Sequence, residues 1–517
     1  MSGTRQHIPA DNPGKKSLLT ILLLPVMVFV GCTVGPNYRT PTAQIPPTYK
    51  EADGWKPAQP NDQNLGGNWW TIFNDPQLDQ LELQVNVSNQ NLKGAEAQYQ
   101  ESRAALRYSR ADYYPTVTAG LSGDRQRTSS RRPPATSIFD GITYNDFILP
   151  VDFSYQADVW GRVRRTVESY REQAQASAAD LATVNLSMHA DLAVDYFEAR
   201  SLDAEELLLA STVKQYQDYL DLTVNRFQGG YSSEVEVQQA KTQLETTQAL
   251  AIDIGVLRAQ YEHAVAILIG KPPAELTLPP LPLTAPPPNV PVSMPSELLE
   301  RLPTIAAAER RVAAANAQIG VAKSAYYPVV SLSGGGGFES SSITTMLNGP
   351  SGIWSVGLSA VGTVFDVGRR RAYTDEARAA YDTQVAAYRE SVLTAFQQVE
   401  DNLAAVRILE NEATVQAEAV AAAEKSLDLS ITRYKGGVTS YLEVTIAQTA
   451  ALQDEVTAVN LLGRRMASTV LLIQALGGGW DRSSLPARPE CCGKLVSSTD
   501  ANSTNNMKPD STQQILP

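Results

Sequence analysis

Asp221-Leu222-Thr223-Val224-Asn225-Arg226-Phe227-Gln228-Gly229-Gly230 returns 207 residues later as Asp428-Leu429-Ser430-Ile431-Thr432-Arg433-Tyr434-Lys435-Gly436-Gly437, and this duplication decides the fold. The same spacing relates Gly161-Arg162 to Gly368-Arg369, Arg164 to Arg371, Glu236-Val237 to Glu443-Val444 and Ile269-Gly270 to Leu476-Gly477. Upstream, Tyr113-Tyr114-Pro115 returns as Tyr326-Tyr327-Pro328 at a spacing of 213, so the second copy is six residues shorter between Pro and Gly. Length changes of that kind belong in surface loops. The chain divides into repeat 1 (68–270), a Pro-rich linker (271–295), extended and semi-rigid by composition, and repeat 2 (296–478).

Each repeat carries the same signals. Residues Gln77 to Asp112 and Glu297 to Ala325 are rich in Ala, Leu, Gln, Glu and Arg, the strong helix formers, and each stops before a Tyr-Tyr-Pro where helix must give way. Hairpins are expected over 114–160 and 328–366. On the first return strand Phe147, Leu149, Val151, Phe153 and Tyr155 alternate with Asp146, Ile148, Pro150, Asp152 and Ser154; on the second, Trp354, Val356 and Leu358 alternate with Ser355, Gly357 and Ser359. Period two gives each sheet an apolar face about as long as a tilted membrane strand requires. After Gly161 and Gly368 come helical patterns of 67 residues, 162–228 and 369–435, each extending about 100 Å at 1.5 Å per residue. The second carries a four-three apolar seam, from Val392, Phe396, Val399 and Leu403 to Leu427, Ile431 and Tyr434, as packed long helices do. Turns at 229–232 and 436–439 reverse the chain into helices running to 270 and 476.

Four strands cannot close a membrane barrel, whose smallest examples have about eight, and open strand edges are forbidden in lipid. The chain must therefore associate. Three copies supply twelve strands and six long helices, giving a mainly α fold with membrane β: a hollow helical cylinder continuous with a twelve-stranded β-barrel, built from two structural repeats per chain, which the resemblance given below makes a trimeric channel-tunnel with a long periplasmic α-helical barrel.

The amino terminus is an address. Arg5, His7, Lys15 and Lys16 precede an apolar run from Leu18 to Val30 and then Gly31-Cys32, which reads as a lipoprotein signal peptide over 1–31 with Cys32 as the lipidated first mature residue; the bland alternative is a signal-peptide cysteine without a role. An extended segment (32–67) follows. A Ser/Thr/Asn/Pro-rich tail (479–517) is expected to be disordered, with Cys491 and Cys492 as spare thiols. The 517 residues carry 43 Lys plus Arg against 55 Asp plus Glu, a net charge of -12 that argues against nucleic acid as a partner. Three Cys and three His exclude a disulfide scaffold and leave little for a metal site. His189 and His263 are assigned to packing, and Gly334 to Gly337 lacks the following Lys-Ser/Thr of a phosphate loop. No nucleophile, base or cofactor constellation appears, so no enzyme is expected, and no cofactor beyond the covalent lipid.

The Cys32-Thr33-Val34-Gly35-Pro36-Asn37-Tyr38 start, Trp69-Trp70 through Phe73-Asp75-Pro76-Gln77-Leu78, Tyr-Tyr-Pro before each first strand and Arg-(Phe/Tyr)-x-Gly-Gly before each tip resemble the outer-membrane efflux protein family, and more closely the TolC-like lipoproteins of the NodT and OprM type. That resemblance implies a lipid-anchored homotrimer in the outer membrane with its α-barrel in the periplasm. It implies a passive exit duct for drugs or other small toxic compounds, with a periplasmic adaptor and an inner-membrane pump of the resistance-nodulation-division type as partners. Two other readings stand beside it: the duct of an ATP-driven protein or peptide secretion system, and a lipid-tethered coiled-coil scaffold without a pore.

Candidate site residues follow. Gly229, Gly230, Gly436 and Gly437 reverse the chain where positive φ is cheap, and the resemblance makes these turns the periplasmic tip gripped by the adaptor. Glu236 and Glu443 lie six or so residues beyond, with Tyr434 nearby; they are read either as carboxylates of a tip constriction or as solvated helix charges. Thr439 and Ile446 depart from one branch of the family, which has an Arg and a second acid there. Arg162, Arg164, Arg165, Arg369, Arg370 and Arg371 oppose the helix dipole where strand becomes helix, so lipid headgroups, neighbouring helices or plain solvation must account for them.

Overall fold

The computed structural model describes residues 33–51, 67–129, 141–290 and 295–486. The signal peptide, Cys32, Cys491 and Cys492 lie outside the described residues. In chain order the elements are α1 (Pro76–Ser88), α2 (Gln90–Ala111), β1 (Thr116–Ala119), β2 (Ser122–Arg127), β3 (Thr143–Ala157), α3 (Arg162–Gln228) and α4 (Glu234–Leu268), then α5 (Pro295–Arg301), α6 (Pro303–Ser324), β4 (Val329–Ser340), β5 (Gly352–Val361), α7 (Arg369–Lys435) and α8 (Tyr441–Ala475).

The first helix of each repeat is broken, a difference from the single helices expected. Asn89 ends α1: its side chain accepts from Leu92 N–H at 2.9 Å to cap α2, and its amide donates to the Leu268 carbonyl at 2.7 Å. Pro303 forces Leu302 to φ -103, ψ 116 and so separates α5 from α6. Asp75 caps α1, accepting from Gln77 and Leu78 N–H with Pro76 at the first helical position.

One antiparallel sheet runs β1/β2, β3, β4, β5. Segments β1 and β2 pair with β3 in one continuous register, Ala119 opposite Val151 and Ser122 opposite Ile148. The interruption sits at Gly120, whose N–H donates to the Pro150 carbonyl at 3.1 Å while Pro150 has no N–H to return. They are one strand line, so four lines result. Val117, Phe153, Gly334 and Val356 share one face with Ala119, Val151, Gly336 and Trp354; Thr118, Asp152, Gly335 and Ser355 share the other. Trp354, Val356 and Leu358 are 83%, 75% and 75% exposed, an uncovered apolar face.

The main core is a waist, not a centre. Trp69, Trp70, Leu78 and Val85 pack on Leu192, Tyr196 and Phe197 of mid-α3, with Val392, Phe396 and Leu403 of mid-α7 and the far ends of α4 and α8. Helix α8 is long and apolar enough to cross a membrane by composition, yet Met466, Val470, Leu472 and Ile473 are buried in this core, so its apolarity serves packing. Linker residues Leu278 and Val290 belong to the same core. Arg200, buried, donates to Asp203 at 2.7 Å and to the Pro279 carbonyl at 2.8 Å, while Leu281 N–H reaches Asp203 at 2.9 Å.

The start of the tail expected to be disordered is ordered over 479–486, and the rest of it lies outside the described residues. Trp480 and Leu485 pack on Ala179, Ala306 and Ala307, Arg482 bonds Glu309 at 3.0 Å, and Gln175 donates to the Pro486 carbonyl. Glu309 is shared: Arg310 and Tyr38 also bond it, and Arg310 reaches Glu172 at 2.8 Å. This buried charge cluster ties both ends of the chain to α3 and α6. The four-three seam of α7 is likewise buried only at its ends: Val392 to Leu403 and Tyr434 are covered, whereas Glu410, Ala417 and Glu424 are exposed. A straight helix drifts about 20° per heptad, so one lane cannot stay inward over its whole length.

Candidate functional site

Both tip turns are built the same way. At the end of α3, Tyr231 N–H bonds the Arg226 carbonyl and Gly230 N–H the Phe227 carbonyl; at the end of α7, Val438 bonds Arg433 and Gly437 bonds Tyr434, 2.8 to 3.0 Å throughout. This is the Schellman arrangement, which needs one left-handed residue. Gly230 (φ 77) and Gly437 (φ 72) supply it, while Gly229 (φ -78) and Gly436 (φ -74) are ordinary right-handed residues. Positive φ thus explains the second glycine of each pair and not the first.

The two turns meet. Ala240, Tyr434, Tyr441 and Val444 form a small buried cluster beside Leu220 and Ile431. The Arg226 guanidinium lies 4.8 Å from the Tyr434 ring and donates to the Lys435 carbonyl at 3.2 Å. Tyr434 and Tyr441 pack edge to face at 5.3 Å, and Tyr216 donates to the Gln448 carbonyl at 3.1 Å. Tyr216, Tyr441 and Gln448 carry no signal in the sequence as tip residues, and Arg226 stands out there only as the repeated arginine of the Arg-(Phe/Tyr)-x-Gly-Gly motif, with no hint that it reaches across to Tyr434.

Neither candidate carboxylate is idle. Glu236 closes a capping box with Ser233, accepts from the Ser232 hydroxyl, and accepts Tyr441 N–H of the other repeat at 3.3 Å. Burial pushes its carboxyl up, but the Ser232 hydroxyl and the Tyr441 and Ser233 amides outweigh that and hold it below the usual range. Glu443 accepts from Arg433 at 2.9 Å and from the Thr439 hydroxyl. Repeat 1 therefore sends its arginine across to repeat 2, whereas repeat 2 keeps its arginine on its own acid. Ile446 is exposed.

At the other end of the long helices the arginines separate. Asp158 accepts Val163 and Arg164 N–H and the Arg164 side chain at 2.9 to 3.0 Å; Asp366 accepts Gly368 and Arg370 N–H and the Arg370 side chain at 2.6 to 3.2 Å. An aspartate at each corner thus satisfies the free helix amides and offsets the dipole, which is what lets arginine stand there. Arg165 is buried, pairs with Glu168 one turn along α3, and holds the amino-terminal segment by donating to the Val34 carbonyl and to Asn37. Arg162, Arg369 and Arg371 are exposed. Trp160 stacks on Tyr327 at 4.7 Å, and Val34 N–H bonds the Trp160 carbonyl, so residue 33 lies against the corner where strand becomes helix. His189 does more than pack: its Nδ1 is 2.5 Å from Glu82, with Trp70 stacked on the ring. Among the described residues no group of His, Cys, Asp and Glu suits a metal.

A sheet with one apolar and one polar face, leading into paired helices of 67 residues, defines an outer-membrane channel. The chain belongs to the outer membrane efflux protein family, which residues 83–271 and 294–478 match. It is similar to the toluene efflux pump outer membrane protein TtgC of Pseudomonas putida, 31% identical over 90% of this chain and 96% of that protein. It is also similar to the cation efflux system protein CusC of Escherichia coli O6:H1, 29% identical over 89% and 99%. Among solved structures the outer-membrane channel OprN superposes with a TM-score of 0.81 at 30% identity, over 87% of this chain and all of that one. The chain is an outer-membrane component of an efflux pump.

Proposed function

We propose that three copies close one twelve-stranded barrel in the outer membrane, continue it as a helical tunnel through the periplasm, and serve as the passive exit duct of a pump of the resistance-nodulation-division type with its periplasmic adaptor. The observation that carries this reading is the sheet: four strand lines with open edges at β1/β2 and β5, one face apolar, one lined by Ser, Gly and Asp. Such edges need partners in lipid. Small toxic compounds are the cargo by kinship with the toluene and cation efflux proteins. Lipid on Cys32 anchors the chain, supported by the placement of Thr33 at the strand-to-helix corner, where acyl chains enter the inner leaflet. The adaptor grips the turns at Gly229-Gly230 and Gly436-Gly437.

In this reading the tip is also the gate. Three copies of Glu236 and Glu443 ring a narrow mouth, and Tyr434 with Arg226 holds the two turns of a chain together. Single-channel conductance in planar bilayers tests it. The wild type gives small cation-selective openings, and Glu443→Ala, which frees Arg433 and Thr439, enlarges them; Glu236→Ala does the same while also loosening the start of α4. Folded trimers without conductance in any variant refute the duct.

A further inference from the structure

Strand β2 reads Ser122-Gly123-Asp124-Arg125-Gln126-Arg127, and pairing with β3 sorts its charges by face. Asp124 stands opposite Asp146 on the polar face; Arg125 opposite Asn145 and Arg127 opposite Thr143 continue the face that carries Val117, Phe153, Val151 and Phe147. Adjacent residues of opposite charge are thus held apart by the sheet itself. Both arginines are exposed and have no acidic partner among the described residues. Their position along the strand is equally specific. The apolar lane of β3 runs from Tyr155 to Phe147, nine residues spanning about 26 Å, and the arginines begin where it stops, at the end away from the helices. Arginine on a lipid-facing strand is costly at mid-membrane and nearly free at the interface. With the helices in the periplasm, this end reaches the outer leaflet, whose glycolipid carries phosphates.

We propose that Arg125 and Arg127 form a binding site for the phosphate groups of the outer-leaflet glycolipid, clamping the barrel at its outer rim. Planar guanidinium forks suit phosphate oxygens, and Gly123, over which the Phe147 ring lies, leaves an apolar shelf beside them for an acyl chain. The proposal rests on the outer-membrane barrel reading, because only that reading turns this face to lipid.

The test uses the full-length protein purified in detergent, incubated with diphosphoryl lipid A and followed by native mass spectrometry. The wild type retains this lipid in preference to dephosphorylated lipid A and to phosphatidylglycerol. Arg125→Gln with Arg127→Gln lowers retention about thirtyfold, two surface charges' worth of anionic-lipid attraction. The Lys/Lys double variant keeps most of it. Arg107→Gln, an exposed arginine on α2, changes nothing. Equal retention by the Gln double variant, an equal loss in Arg107→Gln, or no preference for the phosphorylated glycolipid overturns the site. Conductance recorded on the same preparations reports on the duct separately, so failure of one reading is distinguishable from failure of the other.

Discussion

Glu82 and His189 lie side by side in the waist core, each almost fully enclosed, and neither is charged at neutral pH. Burial, with Asp79 adding its charge, pushes Glu82 up to about 9; burial alone lowers His189 to about 4. The neutral acid therefore donates to Nδ1 across 2.5 Å. Between 4.5 and about 9 the unfolded chain releases a proton that folded Glu82 keeps, so this group costs stability progressively as pH rises through that window. His189 acts in the opposite sense, its contribution being lost as pH falls from 6.5 towards 4. Glu82→Gln retains a neutral donor and cannot ionise. Its melting temperature relative to wild type is expected to climb from pH 5 to pH 9; parallel curves would refute the assignment. The lone His189 was legible in sequence as a packed residue, but its partner lies 107 positions away and no periodicity announces it.

At the scale of elements, the sequence was most informative where one local rule governs. Helices α3 and α7 stand at 162–228 and 369–435 because uninterrupted helix formers run between glycines, and nothing along them competes. The first helices break at Asn89 and Leu302 because an Asn can cap in mid-pattern and a Pro can start a new helix, alternatives that composition alone does not rank. The paired glycines divide the same way. Gly437→Ala is expected to destabilise by about 1–2 kcal/mol, the cost of a left-handed alanine. Gly436→Ala has ordinary contacts around its new methyl and is expected to be neutral or stabilising by about 0.5–1 kcal/mol. Thermal or denaturant melts of the two variants check this; equal effects would mean that the turn conformation is assigned wrongly.

At the scale of the molecule, the internal duplication specifies how copies should join. Within the chain Asp152 of β3 pairs with Gly335 of β4. Ser359 follows Asp152 by the repeat spacing of 207, and Ser122 precedes Gly335 by 213, so the same junction between copies places Ser359 beside the neighbour's Ser122. Corner residues obey the same relation: Trp160 stacks on Tyr327, and their equivalents Val367 and Tyr114 are both exposed. Val367 also holds φ 52, an unusual state for a β-branched residue. In a Cys491→Ser, Cys492→Ser background, a Ser122→Cys, Ser359→Cys chain treated with a short thiol crosslinker should give covalent trimers, while each single variant gives only monomers on denaturing gels. Crosslinking absent from intact, conducting trimers would show a different register.

The sequence by itself determined the two-repeat plan, the long helices and the strands with one apolar face, because period and repeat spacing are properties of the chain read linearly. Only the tertiary structure decided which residues share the tip, that Asp158 and Asp366 answer the corner arginines, and that Glu309 binds both ends of the chain. The partners of Glu309 are brought together by packing across 173 and 271 residues, and a contact of that kind leaves no trace in local pattern; Asp158 and Asp366 lie only six and four residues from their arginines, but the backbone of the corner decides that their carboxylates turn back onto the helix amides.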